Sequence, residues 1–312
     1  MTAYIVRRIW QMIPTMLGVV LLVFFLFNWV GGDPAYVLAG KISSQEQIDN
    51  IRRQLGVDQP YIVQLGIFLK QILTGDFGAS WSTNERVSHI LLTRLGPSLT
   101  VLVPLTVLSL IIAVSLALVV AYVRGSFTDR MAMIFSTVAL SISILVYIIV
   151  FQYVFAYKLG WFPVQGWGDS FWENLFVYAS LPILIGLAVS IAPELRLYRT
   201  FVLDEVNQDY VRTARAKGVA EKRVMLVHVL RNASIPIITN LMAGLPGLLL
   251  GSFLIERFFS IPGIGREVLL AVERSDFPVI KAITVYVAFA TIATNLLADL
   301  TYKAVDPRVQ LK

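Results

Sequence analysis

The chain has 312 residues, of which 57% are hydrophobic and 15% charged, with a mean hydropathy of +0.73. Soluble domains carry nearer a quarter charged residues, so this composition names lipid as the main solvent. The net charge of +6 is spread along connections between apolar runs, which makes it a topology signal and gives no reason to expect nucleic acid. The absence of cysteine excludes disulfides, thiolate metal sites and cysteine nucleophiles together.

A helix needs about 20 apolar residues to cross a hydrocarbon core of about 30 Å. Six stretches qualify: Ile9–Val30, Leu99–Val123, Met131–Tyr157, Phe176–Leu197, Ile235–Ile255 and Ile283–Ala304. The first follows Arg7 and Arg8 as a signal peptide would, but it exceeds the 7–15 residues of a secretory core and reads as a retained span. The expected fold is therefore all-α, one polytopic membrane domain over residues 1–312.

Between the first two spans, residues 31–98 are expected to form a structured insertion. Ser44 and Gln47 have capping-box spacing, and Ile48, Ile51 and Leu55 then share a helical face that Gly56 and Pro60 end. A second amphipathic helix, Tyr61–Leu73, carries Ile62, Leu65, Leu69 and Ile72 before Gly75. The two helices either lie on the membrane surface or cap a cavity.

The spans hold little that titrates. Asn28, Gln152, Asn240 and Asn295 are their polar exceptions, Glu194 and Arg196 sit toward the end of the fourth, and Asp299 pairs with Lys303 by i,i+4 spacing. No chain of acids or histidines could relay protons, which excludes a proton-coupled carrier and leaves a sodium-coupled or uncoupled one open. Pro104, Pro182 and Pro246 could break spans, but not in matching halves. His89 and His228 have no ligand-spaced partners, so no metal site is expected. Gly40-Lys41-Ile42 is not a nucleotide-binding loop, so any ATP must be bound by another chain.

The connection beginning at Asn207, NQDYVRTARAKGVAEKRVMLVHVLRN, reads as two short helices. Asn207 or Asp209 would cap the first, Tyr210, Ala214 and Lys217 follow at helical steps, and Gly218 would end it. The second, Glu221–Leu230, would turn Val224, Val227, His228 and Leu230 to one side. Ala214, Ala216 and Gly218 are small enough for close approach. Such a basic element either rests on anionic headgroups or docks into a groove of a partner. The side holding the N-terminus collects 15 Lys and Arg against 11 on the other, which favours both termini in the cytoplasm.

Taken together, RRIWQMIPTMLGVVLLVF near the start, GGDPA (31–35), LGVDQP (55–60), TGDFGAS (74–80), LGWFPVQGW (159–167), DYVRTARAKG (209–218), HVLRNASIPIIT (228–239), ERFFSIPGIG (256–265), SDFP (275–278) and DPR (306–308) resemble, in order and over the whole length, the inner-membrane permeases of binding-protein-dependent ABC importers. Within that family the chain resembles the B-type subunits of the dipeptide/oligopeptide/nickel branch. The resemblance implies the type I importer permease fold in the bacterial inner membrane. It also implies a homologous C-type permease, two ATPase subunits that hold ATP and Mg, and a periplasmic or lipid-anchored substrate-binding protein as partners. The chain itself would hold no cofactor and do no catalysis.

The same resemblance makes 198–231 the coupling loop, with Asp209, Tyr210, Arg212, Ala214, Arg215, Ala216, Lys217 and Gly218 facing the ATPase. The superfamily pattern of Glu-Ala-Ala followed by Gly is kept at Ala214 and Gly218, while Arg212 and Thr213 stand in its first two places. Phe259, Pro262, Gly263 and Gly265 form either a gate or binding-protein contact or a plain turn, with Phe258–Phe259 as an interface anchor. Peptides are the implied cargo, with nickel complexes, glutathione or another small solute as the alternative.

Overall fold

The computed structural model describes residues 2–30, 34–39 and 44–305. The expected Asp299–Lys303 side-chain pair, Gly31–Asp33 of the GGDPA motif, Gly40–Ile42 and the DPR motif lie outside the described residues and side chains.

Helices account for all the regular elements among the described residues. They are α1 (Thr2–Phe25), α2 (Pro34–Ala39), α3 (Gln45–Leu55), α4 (Tyr61–Thr74), α5 (Val87–Tyr122), α6 (Phe127–Ser141), α7 (Ile144–Phe151), α8 (Phe171–Glu173), α9 (Ser180–Val206), α10 (Asp209–Ala216), α11 (Glu221–Arg223), α12 (Leu230–Leu250), α13 (Phe253–Phe258), α14 (Ile264–Glu273) and α15 (Phe277–Val305). Wider π turns extend α1, α7, α8 and α11. The spans are carried by α1, α5, α9, α12 and α15, and the α6–α7 pair supplies a sixth crossing if it is taken as one bent span. Trp10, Leu22, Val119, Phe135, Ile149, Phe176 and Phe289 all face outward, an apolar exterior that water would not tolerate over this area.

Successive crossings alternate direction, so the bundle has two ends. The proximal end holds the start of α1, the 123–126 turn, α10 and the end of α15. The distal end holds α2–α4, the 159–179 connection, α13 and α14. The proximal core gathers Ala117, Val120, Tyr198, Val202, Val211, Val224 and Val229 from α5, α9, α10 and the α11 turn. At the distal end, Val87 and Ile90 of α5 meet Ile264, Ala271, Val279 and Ile283. The second span is therefore longer than the hydropathy suggests: residues 87–98, read as the end of the insertion, are the first three turns of α5.

The third expected span, Met131–Tyr157, is not one rod. Ser141 turns its hydroxyl back to the Thr137 carbonyl at 2.9 Å, while the Ser143 hydroxyl accepts from the Leu145 N–H at 3.3 Å and caps a new helix. Two serines competing for backbone groups end α6 and start α7, and the axis turns by 92°.

In the insertion, the reciprocal Ser44–Gln47 capping box is present, with hydrogen bonds of 3.0 and 3.4 Å, and Gly56 ends α3 in the left-handed region at φ 67°. α4 packs Phe68, Leu69 and Ile72 against Val20 and Val23 of α1 and Val285 of α15. Its other face leaves Ile62 and Leu73 exposed. The helix thus covers a cavity and also turns an apolar surface outward.

Candidate functional site

Two clusters of the sequence motifs stand at opposite ends of the bundle. At the proximal end, α10 follows α9 after a two-residue break. Neither Asn207 nor Asp209 caps it: Asn207 donates back to the Leu203 carbonyl at 2.9 Å, and Gln208 stands at the cap position but donates back to the Asp204 carbonyl at 3.3 Å without capping the helix. The helix is held instead by burial of Val211 and Ala214, one turn apart, in the proximal core. That spacing turns Asp209, Arg212, Arg215, Ala216, Lys217 and Gly218 outward.

Arg212 and Asp209 pair at 3.3 Å with side chains 73% and 95% exposed, so this contact contributes little to folding. Arg215 forks onto Glu221 through bonds of 3.1 and 2.6 Å, tying α10 to α11, and that carboxylate raises the guanidinium pKa further. Tyr210 donates to the Glu205 carboxylate at 2.6 Å. Burial, with Glu205 beside it, pushes the phenol up to about 12, so it stays a donor at neutral pH. Gly218 has φ 74°, and a side chain there would meet nothing within 4 Å. The residue satisfies a left-handed backbone over open space.

The second half of the connection differs from the expected amphipathic helix. α11 passes through a π turn, Val224–Val229, straight into α12 with no break. Bonding to the fifth residue instead of the fourth widens the turn and shifts the period. Val224, Met225 and Val229 are buried, and Val227 is exposed. Below α10, Arg199 of α9 grips Asp129 at the start of α6 through bonds of 2.9 and 2.8 Å, and the Gly125 N–H donates to the same carboxylate at 2.9 Å. This partly buried pair joins the 123–126 turn to the helix that leads into α10. Farther up α9, Glu194 accepts from Ser109 of α5 at 2.6 Å, and Ser109 also meets Ser190 at 2.9 Å. Because α9 continues to Val206, Glu194 lies near the middle of the helix and not at its end.

At the distal end, four motifs interlock around two carboxylates that the sequence reading did not single out. Glu256, 1% exposed, accepts from the Ser98 hydroxyl at 2.8 Å, the Ser252 N–H at 3.0 Å and the Arg266 N–H at 2.9 Å. Ser98 accepts in turn from the Ile264 N–H at 2.8 Å. Gly263 lies where a methyl group would overlap both the Glu256 carboxylate and the Ser98 hydroxyl, and one on Gly265 would press the Ser252–Phe253 backbone. The glycines are there for room.

Asp276, also 1% exposed, binds the 80–82 turn: Ser80 and Ser82 donate through their hydroxyls, Trp81 and Ser82 through N–H groups at 3.1 and 3.2 Å. The Phe259 carbonyl accepts from Gly166 N–H at 3.1 Å, which brings LGWFPVQGW against FSIPGIG. Phe259 is buried while Phe258 remains partly exposed, so the two rings point apart and do not form the expected interface pair. Pro262 is half-buried.

Comparison with known proteins decides the family. Residues 111–311 match the model of the binding-protein-dependent transport system inner membrane component, and residues 1–103 match its N-terminal companion. The chain belongs to this family. It is a permease subunit of a binding-protein-dependent ABC importer. A probable peptide ABC transporter permease of Sinorhizobium fredii is 34% identical over 99% of this chain and 100% of its own length. A glutathione transport system permease of Salmonella typhimurium is 34% identical over the full length of both. A putative peptide transport system permease of Brucella abortus is 34% identical over 99% of each chain. Coverage of this extent places both the distal cap and the proximal foot of the permease within the shared fold.

Proposed function

We propose that this permease carries small peptides or the peptide-like glutathione inward across the bacterial inner membrane, driven by ATP that partner subunits hydrolyse. The substrate class rests on the names borne by relatives that match end to end, two peptide permeases and a glutathione permease. In this reading the permease pairs with a homologous second permease, two ATPase subunits bind ATP and Mg beneath it, and a periplasmic or lipid-anchored binding protein delivers the cargo to the distal end. Both termini then lie in the cytoplasm, as the excess of Lys and Arg on the proximal side favours.

The observation that carries the mechanism is the division of α10 into two faces. Val211 and Ala214 fasten it to the core formed by α5, α9 and the α11 turn, while Asp209, Arg212 and Lys217 remain outside with few bonds of their own. A short helix anchored in this way transmits a push from an ATPase groove to packed spans, which respond by rigid-body rocking. Glu256 and Asp276 keep the distal cap together while the spans move.

Ligand identification on the cognate binding protein tests the substrate reading. Di- or tripeptides or glutathione in its cleft are expected, and a nickel complex or a non-peptide solute would overturn it. For the coupling reading, Gly218→Val in reconstituted vesicles should insert normally but lose most transport-coupled ATP hydrolysis. Full transport by that variant would refute docking at α10.

A further inference from the structure

A cavity of about 450 Å³ opens at the distal end between the end of α1, the covering helix α4, the 77–81 turn and the first turns of α15. Its walls are mostly aromatic and aliphatic, with no carboxylate among the described residues that line it. Lys281 borders it, and no hydrogen bond or ion pair is formed by its ammonium among the described residues. The cation sits instead over the Phe27 ring at 5.7 Å and the Phe68 ring at 5.8 Å, close enough for cation–π attraction. Asp276, five residues earlier, makes no ion pair with it and has its carboxylate taken by Ser80, Trp81 and Ser82. The Gln71 amide and the Trp81 indole N–H border the same cavity and likewise have no side-chain hydrogen bond among the described residues.

A half-buried ammonium without a counter-ion is costly, and three unspent donors around one space suit an oxyanion. Depth narrows the choice. The cavity lies where one candidate span ends at Asn28 and another begins at Phe277, the level at which phospholipid headgroups meet the hydrocarbon. α4 lies over it with Ile62 and Leu73 exposed outward, a surface fit for acyl chains.

We propose that this cavity is a phosphate site for an anionic phospholipid, whose headgroup enters beside Lys281 and whose chains run along the exposed faces of α1 and α4. Lys281 supplies the charge, and Gln71 and Trp81 the orienting donors. Bound lipid would fasten α4 to α1 and α15, making the distal cover lipid-dependent.

The test uses the full chain in the complex in which it purifies, delipidated in mild detergent and titrated with phosphatidylglycerol, phosphatidylethanolamine or inorganic phosphate. Native mass spectrometry reads bound lipid and thermal unfolding reads stabilisation. Phosphatidylglycerol is expected to give a retained adduct and a raised unfolding temperature, and Lys281→Gln to weaken its retention by roughly fivefold. Lys281→Arg should restore it. Stabilisation by inorganic phosphate alone, with no preference for lipid, would show a free-anion site and overturn the lipid assignment. Equal retention by wild type and Lys281→Gln would overturn the site. Should Lys281→Gln fail to assemble, Gln71→Leu gives the same reading with the charge intact: weaker adduct retention supports the site, and unchanged retention overturns it.

Discussion

The two ends of the bundle use the same residue types for opposite purposes. In the distal cap, two carboxylates are buried and saturated: Glu256 and Asp276 are each 1% exposed and accept from several donors, with Ser98 and the 80–82 turn reaching them from far away in sequence. In the proximal foot, charge is exposed and loosely paired, as in Arg212 with Asp209. Glycine divides the same way. Gly263 has an extended backbone but no room for a methyl group, whereas Gly218 has ample room and a left-handed backbone. A buried carboxylate with its donors in place fixes one geometry, because every displaced donor goes unpaired out of water. Exposed, weakly paired charges leave a surface free to take new partners. The cap is built to stay together and the foot to be pushed.

Removing the keystone of the cap should have the largest effect. Glu256→Ala leaves the Ser98 hydroxyl and the Ser252 and Arg266 N–H groups without their acceptor, a loss of about 3 kcal/mol or more read by thermal unfolding in detergent. Glu256→Gln should recover part of that loss, since one amide oxygen still accepts. Asp276→Ala should cost somewhat less, about 2–3 kcal/mol, because the 80–82 turn lies nearer solvent. Proteolysis within residues 74–86 should then speed up before the bundle unfolds.

At the foot the expected order of effects reverses between stability and transport. Gly218→Val places a β-branched residue at φ 74° and should cost about 1–2 kcal/mol of local strain, with a large loss of coupled ATP hydrolysis. Gly218→Asn, which tolerates that backbone, should restore stability. Arg212→Ala should change the unfolding free energy by no more than ~0.5 kcal/mol while still reducing transport. A foot variant that destabilises as much as Glu256→Ala would erase the distinction between the ends.

What could be read in advance follows from the range of the forces involved. Hydropathy located the crossings, and local bonding located the Ser44 cap and the left-handed Gly56 and Gly218. The break at Ser143 was hidden because averaging over an apolar run dilutes two serines whose effect is local and competitive. The burial of Val224, Met225 and Val229 in place of Val227 was hidden because a π turn changes the period on which the reading relied. Glu256 looked like one more charge beside a span, since its chief side-chain partner, Ser98, is 158 residues away. Its signal was the glycines that follow it at 263 and 265, in a motif read as either a gate or binding-protein contact or a plain turn. Lys281 carried no local cue, because its surroundings come from α1 and α4.

The most direct test of mechanical coupling exploits the lack of cysteine in the chain. Lys217→Cys on the foot and Arg274→Cys in the distal cap can each be introduced as the single reactive thiol on the permease, and crosslinked within the assembled, transport-active complex. The account predicts that Lys217→Cys forms an adduct with an ATPase subunit whose yield changes when ATP binds, and that Arg274→Cys forms none. A Lys217→Cys thiol that stays open to a water-soluble maleimide throughout turnover, without joining an ATPase subunit, would contradict it.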